Sequence, residues 1–539
     1  MIMKKTLKII SIALAAVILL TSLSFFAFAQ NEKNYYYLDS VAGDDSNSGT
    51  DINSPVKTIA GLKDLNIGPG THFLFKNGGE YECAVTLTCS GTKENPVVIS
   101  SYGEGEKALL YTNDKKEVFC LFDCSYVTVS DVHIKAPNGG GIWIDTYNQT
   151  SEGIVIDNVY FTDMQNYQVH SRDDFSRGAA AARAAVMVKG LPARSRYAVN
   201  DLTISNCEVY NCANGFMIWG SWNDEQAPWC EEEDIDPVYN EGLLIKGCYL
   251  HEMDAEAVVV GICKGALVTH CRAINCCQGV GVDKNGEIEY FTAAMWFWGS
   301  ESSTIQYCEI AGQKNFGDGM TVDFDSFTHN CTYQYIYSHD NVRFMCNCPN
   351  HSGHHGNTVR YCLSVNDNGG RSTTAVGAQG EHNFSFYNNT IVNCGEFQFK
   401  NLYDSYIANN IIVAGEGATF AYDVDPSRNN VFENNCYYDI MNPLVDIGAM
   451  NTVPGFSGTD YSDPESFKLS ADSPLIGAGA AVDVDTDFYG NPVESNNIGC
   501  YGGKGTDAEY KGESIIEKII RTIRNIITTL KHEIYVIFD

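Results

Sequence analysis

The chain has 539 residues, with 35 Lys and Arg against 67 Asp and Glu, a formal net charge of −32. That balance excludes nucleic acid as a partner, because a phosphate backbone is held by Lys and Arg, and it disfavours a purely electrostatic grip on acidic polymers. The 49 Gly, 31 Tyr and 26 Phe suit a turn-rich β protein with aromatic surface.

The first element is a leader. Lys4, Lys5 and Lys8 open it, residues 9–20 are almost wholly apolar, and Ala27-Phe28-Ala29 puts small residues at −3 and −1 before Gln30. Residues 1–29 are therefore expected to be a signal peptide, and the product to be secreted, extracellular or at the cell surface. The apolar run is short for a membrane span, so a retained anchor is the lesser alternative.

Residues 30–503 carry a repeat. Ile156-Asp-Asn-Val-Tyr-Phe161, Ile204-Ser-Asn-Cys-Glu-Val209, Ile245-Lys-Gly-Cys-Tyr-Leu250, Ile305-Gln-Tyr-Cys-Glu-Ile310 and Ile407-Ala-Asn-Asn-Ile-Ile412 share one template. Aligned on its fourth position, the series runs Val132, Val159, Cys207, Cys248, Cys271, Cys308, an offset Ile336, Cys362, Asn389, Asn410 and Asn435. Most steps are 21 to 28 residues, the length of one coil, and longer steps mark loops thrown out between coils. A unit of this length cannot bury its apolar face alone, so neighbours stack into one core. The fold expected is all-β, a right-handed parallel β-helix (a solenoid). Equivalent positions would lie about 4.8 Å apart, making an internal Cys ladder and an amide ladder. Much of the count of 20 Cys is thereby assigned to small buried hydrophobes, with a disulfide between neighbours as the alternative.

The ends of equivalent strands should form a line along one face. Matching Gly141–Asp145, Ala185–Lys189, Gly215–Trp219, Ala257–Gly261, Ala294–Trp298 and Gly319–Asp323 gives Asp145, Lys189, Trp219, Gly261, Trp298, Asp323. Indoles that stack on sugar rings and polar groups that take hydroxyls are what a glycan groove uses. The alternative is that the Trp residues point inward as core.

Asp318-Gly-Met-Thr-Val-Asp323-Phe-Asp325 is the densest acidic cluster, and on a strand Asp323 and Asp325 would face one side. Paired carboxylates serve as acid and nucleophile or base in glycoside hydrolysis, whereas a calcium-binding or strand-capping turn is the structural alternative. His339-Asp340 and Arg343 follow and are taken as substrate-binding candidates. Cys346-Asn-Cys348, His351, His354 and His355 are zinc-type ligands without a standard spacing. Residues 231–236 are read as a solvated acidic face, with calcium as the lesser alternative; no cofactor is otherwise expected. In residues 504–539, Ile515, Ile516, Ile519, Ile520, Ile523, Ile526, Ile527 and Leu530 recur at helical spacing. This tail is expected to be an amphipathic helix packed on the coil or a partner, or else lying on a membrane or cell surface.

Gly43-Asp-Asp-Ser-Asn-Ser-Gly-Thr50 near the start, and Leu469-Ser-Ala-Asp-Ser-Pro-Leu-Ile-Gly477 with Asp487-Phe-Tyr-Gly-Asn-Pro492 near the end, resemble secreted bacterial parallel β-helix carbohydrate-active proteins. The separation of Asp318 and Asp325 is similar to the catalytic pair of lacto-N-biosidase-type glycoside hydrolases. That resemblance implies Asp318 as acid/base and Asp325 as nucleophile, with Asp323 competing for either role. An extracellular glycoside hydrolase acting on a glycan is the leading expectation. A polysaccharide lyase, which needs a base and neutralisation of a uronate, and a non-catalytic glycan-binding or adhesion protein are the alternatives.

Overall fold

A computed structural model of the chain describes residues 33–62, 65, 67–164, 184–189, 196–222, 236–279, 281–282, 288–289, 292–314, 319–348, 355–368, 374–376, 381–415, 418, 420–422, 425–440 and 446–508. Residues 1–29, read above as a signal peptide, and residues 509–539, most of the expected helical tail, lie outside the described residues.

Each coil contributes one short strand to each of three parallel sheets, which hold 14, 13 and 12 strands. One coil, for example, consists of Thr203–Ser205, Glu208–Tyr210 and Asn214–Trp219, and the next of Leu244–Lys246, Tyr249–His251 and Val258–Gly261. The template's first position pairs in unbroken register through Ile204, Ile245, Val268, Ile305, Tyr333, Val359, Phe386, Ile407 and Phe432. These side chains fill the inside of the coil. This is the expected parallel β-helix. Ile336 is not offset: Tyr333 pairs with Ile305 and Val359, so Ile336 lies buried in line with Cys308 and Cys362.

The third template position makes the bend between sheets. Asn206, His270, Tyr307, Tyr335, Tyr361, Asn388, Asn409 and Asn434 all have φ between 50° and 56°, the left-handed region. Asn tolerates that region because its short polar chain bonds locally. The bulkier residues there are offset by stacking, with ring centroids 5.1 Å apart for His270–Tyr307 and 4.6 Å for Tyr307–Tyr335.

The fourth position turns inward and forms both ladders. Asn410 Oδ1 accepts from the Asn389 N–H at 3.0 Å, and Asn410 Nδ2 donates to Phe386 O at 2.8 Å and to Asn435 Oδ1 at 2.9 Å. Each amide thus satisfies backbone groups that the bend leaves unpaired inside the coil. Cys207, Cys248, Cys271 and Cys308 occupy the same place in earlier coils, their thiols near backbone carbonyls and one another. The four ladder cysteines are free thiols and buried, as are Cys83, Cys89 and Cys124 in the first coils.

The segment after the last coil folds back along the outside of the thirteen-stranded sheet. Leu469, Leu475 and Ile498 pack on Ile411 and Cys436, while Phe467 and Cys500 pack on Leu363, Val365 and Val392. The twelve-stranded sheet is instead flanked by the longest connections, such as those from Thr162 to Ala184 and from Trp219 to Leu244. Its outer face is taken as the floor of the candidate site.

Asn410→Ala removes partners from buried groups on both neighbouring coils. Each orphaned group costs about 1–3 kcal/mol. The expected result is a lower denaturant midpoint at unchanged slope, measured by urea unfolding followed by circular dichroism.

Candidate functional site

Two adjacent strands of the twelve-stranded sheet, Ala293–Trp298 and Met320–Asp325, build the centre of this floor. Their alternation sends Met295, Phe297, Val322 and Phe324 into the coil and leaves Trp296, Trp298, Asp323 and Asp325 on the outer face. Below them the Tyr333 hydroxyl donates to Asp323 O at 2.6 Å and lies 3.2 Å from Met295 O, pinning both strands from inside.

Asp323 and Asp325 therefore share one side, about 6.6 Å apart at Cα. Asp323 is buried, and Asp325 keeps part of its surface open. Asp325 Oδ1 accepts from the Ser326 N–H at 2.7 Å and from the Ser326 hydroxyl at 3.2 Å. The Thr328 hydroxyl donates to Asp325 O at 2.6 Å. Burial pushes the Asp325 carboxyl up to about 6, against the opposing effect of the Ser326 bonds. Asp318 lies outside the described residues.

The register revises the line expected along this face. Trp219 pairs with Gly261 and Gly261 with Trp298, as expected. Asp323, however, pairs with Trp296, and continuing the register sets Asp325 beside Trp298. The slip is two residues, so both acids stay on the expected face. It arises because loop length between coils is not part of the repeat.

Trp219 and Trp298 are not the open stacking platforms expected. Each is only 2% exposed. They face outward from the coil but pack together, ring centroids 6.0 Å apart, in a second apolar cluster with Met187, Met217, Val259 and Phe327. Among the described indoles Trp143 and Trp296 are half-buried, and Trp296 stands beside Asp323. Sequence reasoning passed over Trp296 as a site residue, although its spacing of two from Trp298 put it on the same face. Tyr239, which packs against this cluster from the rim and bonds Glu301, was also missed.

Lys189 is likewise corrected as a ligand-binding side chain. It follows Asp145 in the line, but the strand ends at Val188 and Lys189 turns with φ 47°. Its ammonium is fully buried, donating to Tyr197 O and, at 2.9 Å, to Ser221 Oγ. Burial lowers it to about 8, against the attraction of Asp145. Asp145 itself remains partly open at the start of this row, its Oδ1 accepting from the Thr146 N–H at 2.7 Å.

His339 belongs to a different face. Its strand, Tyr337–His339, lies in the thirteen-stranded sheet. There it contacts Asp340 at 2.9 Å and Glu309 at 3.4 Å and stacks on Tyr337. It is a neighbour of the acids in sequence, not in space. Arg343 does begin the next strand of the groove floor, paired with Met320. In the zinc-type run, Cys346 pairs with Asp323, whereas His355 lies in an exposed bridge beside His329. Among the described residues no three His, Cys, Asp or Glu side chains come together as a metal site. His351, His354 and residues 231–235 lie outside the described residues.

No family model matches the chain. It is 22% identical over 582 aligned positions to a lacto-N-biosidase of Bifidobacterium longum subsp. longum, an alignment covering 85% of this chain and 36% of that protein. The chain thus spans about a third of the length of the curated relative it matches. The resemblance read from Asp318 and Asp325 therefore extends along most of the chain. Among solved structures, a GH136 lacto-N-biosidase from Eubacterium ramulus is 20% identical with a TM-score of 0.48, covering 75% of this chain and 67% of that one. The pectate lyase Pel9A is 16% identical with a TM-score of 0.39, covering 87% and 96%.

The floor has one tight approach that can be tested. A Cβ on Gly261 would stand 2.2 Å from Trp219 Cε3. Gly261→Ala is expected to displace the indole at a cost of about 1–3 kcal/mol, with a shifted tryptophan emission spectrum and a lower Tm. An unchanged spectrum and Tm would contradict the packing of Trp219 over Gly261.

Proposed function

We propose that the protein is an exported glycoside hydrolase that cleaves a glycan lying across the outer face of the twelve-stranded sheet. Asp325 is the nucleophile and Asp318 the acid/base, with Asp323 as the neighbouring carboxylate. The observation that carries this reading is Asp325 itself: a carboxylate on the outer face of the twelve-stranded sheet, oriented by Ser326 and shifted by burial. The likeness to a lacto-N-biosidase supports a hydrolase acting on an oligosaccharide.

The roles are those that the resemblance to lacto-N-biosidase-type hydrolases implies. A nucleophile must be ionised to attack the anomeric carbon, while the partner acid delivers a proton to the departing oxygen. Trp296 and Trp143 offer half-buried rings for sugar faces on the same floor. Lys189, which could otherwise serve as the base that a lyase needs, has its ammonium directed to Tyr197 and Ser221.

Incubation with a glycan panel, scored separately for new reducing ends and for unsaturated uronate absorbance, tests the reaction type. Reducing ends without absorbance are expected; absorbance would establish a lyase, and neither would leave a binding protein. Asp325→Asn and Asp318→Asn should each lower kcat/KM by about a thousandfold, within the range of one general acid/base contribution. For the wild type, kcat/KM should fall as pH drops through about 6, where Asp325 takes up its proton. The raised carboxyl also makes a stability forecast. Ionisation of Asp325 penalises the fold increasingly as pH rises from its ordinary 3.8 to about 6. Asp325→Asn should therefore raise Tm at pH 8 and leave it nearly unchanged below pH 4, which separates loss of chemistry from loss of fold.

A further inference from the structure

We infer that His329 and His355, at the rim of the groove, form a two-imidazole chelate for a divalent first-row transition metal ion such as copper, nickel or zinc.

The pair is created by the coil. His329, Glu301, His355 and His382 lie on one row of parallel bridges along the corner where the chain leaves the groove floor. Within that row, His329 and His355 bring their Nδ1 atoms to 3.1 Å, with ring centroids 4.5 Å apart and planes inclined by 47°. Two nitrogens each about 2.05 Å from one ion, at angles of 90–110°, stand about 2.9–3.4 Å apart. The observed separation falls inside that interval. His355 is exposed and His329 half-buried, so an ion can reach them from solvent.

The other members of the row are committed elsewhere. Glu301 pairs with Lys264 at 2.8 Å and bonds Tyr239. The His382 ring lies flat on Tyr403, with centroids 4.6 Å apart and planes within 10°. Among the described residues the protein therefore supplies two ligands, and water or a ligand oxygen completes the shell. Imidazole is a ligand for copper, nickel and zinc in its neutral form. His355 belongs to the run of zinc-type residues singled out in the sequence, but its partner comes from the preceding coil, 26 residues away.

The test uses the mature chain without glycan, so its outcome does not depend on the hydrolase reading. Calorimetric titration with nickel and with copper is expected to give one site per chain. His329→Gln and His355→Gln should each weaken it at least tenfold, and His382→Gln should not. Copper electron paramagnetic resonance should show coupling to two nitrogens in the wild type and to fewer in either variant. Added nickel should raise Tm for the wild type and His382→Gln only, because binding to the native state stabilises it. No uptake at millimolar metal, or uptake unchanged in both His329→Gln and His355→Gln, would overturn the inference.

Discussion

In-register parallel pairing between successive coils is the constraint on which the rest of the molecule depends. A residue has its equivalent on the next coil about 4.8 Å away, so any side-chain type repeated at one position becomes a continuous row. Inside, such rows are apolar or are amides that bond one another and the bends. At the corners they are left-handed Asn residues or stacked rings. Outside they are functional material, because nothing in the coil itself demands a particular residue there. The acids, the indoles and the paired imidazoles are all rows or parts of rows.

The repeat made the fold legible because it records the bend. An apolar residue, a residue suited to the left-handed region and a small or amide residue turned inward recur as Ile204-Ser-Asn206-Cys207 and Ile407-Ala-Asn409-Asn410. Cys and Asn at the fourth position could be assigned to ladders because only small or self-pairing groups fit there. The outer face was less legible for a physical reason. A period of two states which side a residue faces, but not what the loops lay over it. Trp219, Trp298 and Lys189 were thus correctly traced to one line and wrongly credited with access. The length of connection between coils is also free, which is how Asp323 came to be set beside Trp298 instead of Trp296. His339 shows the opposite hazard, since two bends separate it from the acids and carry it to another sheet.

The floor sets two kinds of group against each other. The cluster around Trp219, Trp298 and Phe327 lowers the polarity of the sheet's outer side. Next to it, Asp325 is held by Ser326 in surroundings that resist its ionisation. A carboxylate so placed is more reactive than one in water and costs stability to keep, a trade that catalytic sites repeatedly make. Lys189, traced to the same line, is buried and held by Tyr197 and Ser221.

The central claim is that sugar is cleaved over Asp325 on the outer face of the twelve-stranded sheet. The most direct measurement is a crystal structure of Asp318→Asn with an uncleaved oligosaccharide from the panel. The account predicts an anomeric carbon about 3–3.5 Å from an Asp325 carboxylate oxygen, the distance of a near-attack geometry. A glycan bound along the thirteen-stranded sheet, or with its scissile bond out of reach of Asp325, would contradict it.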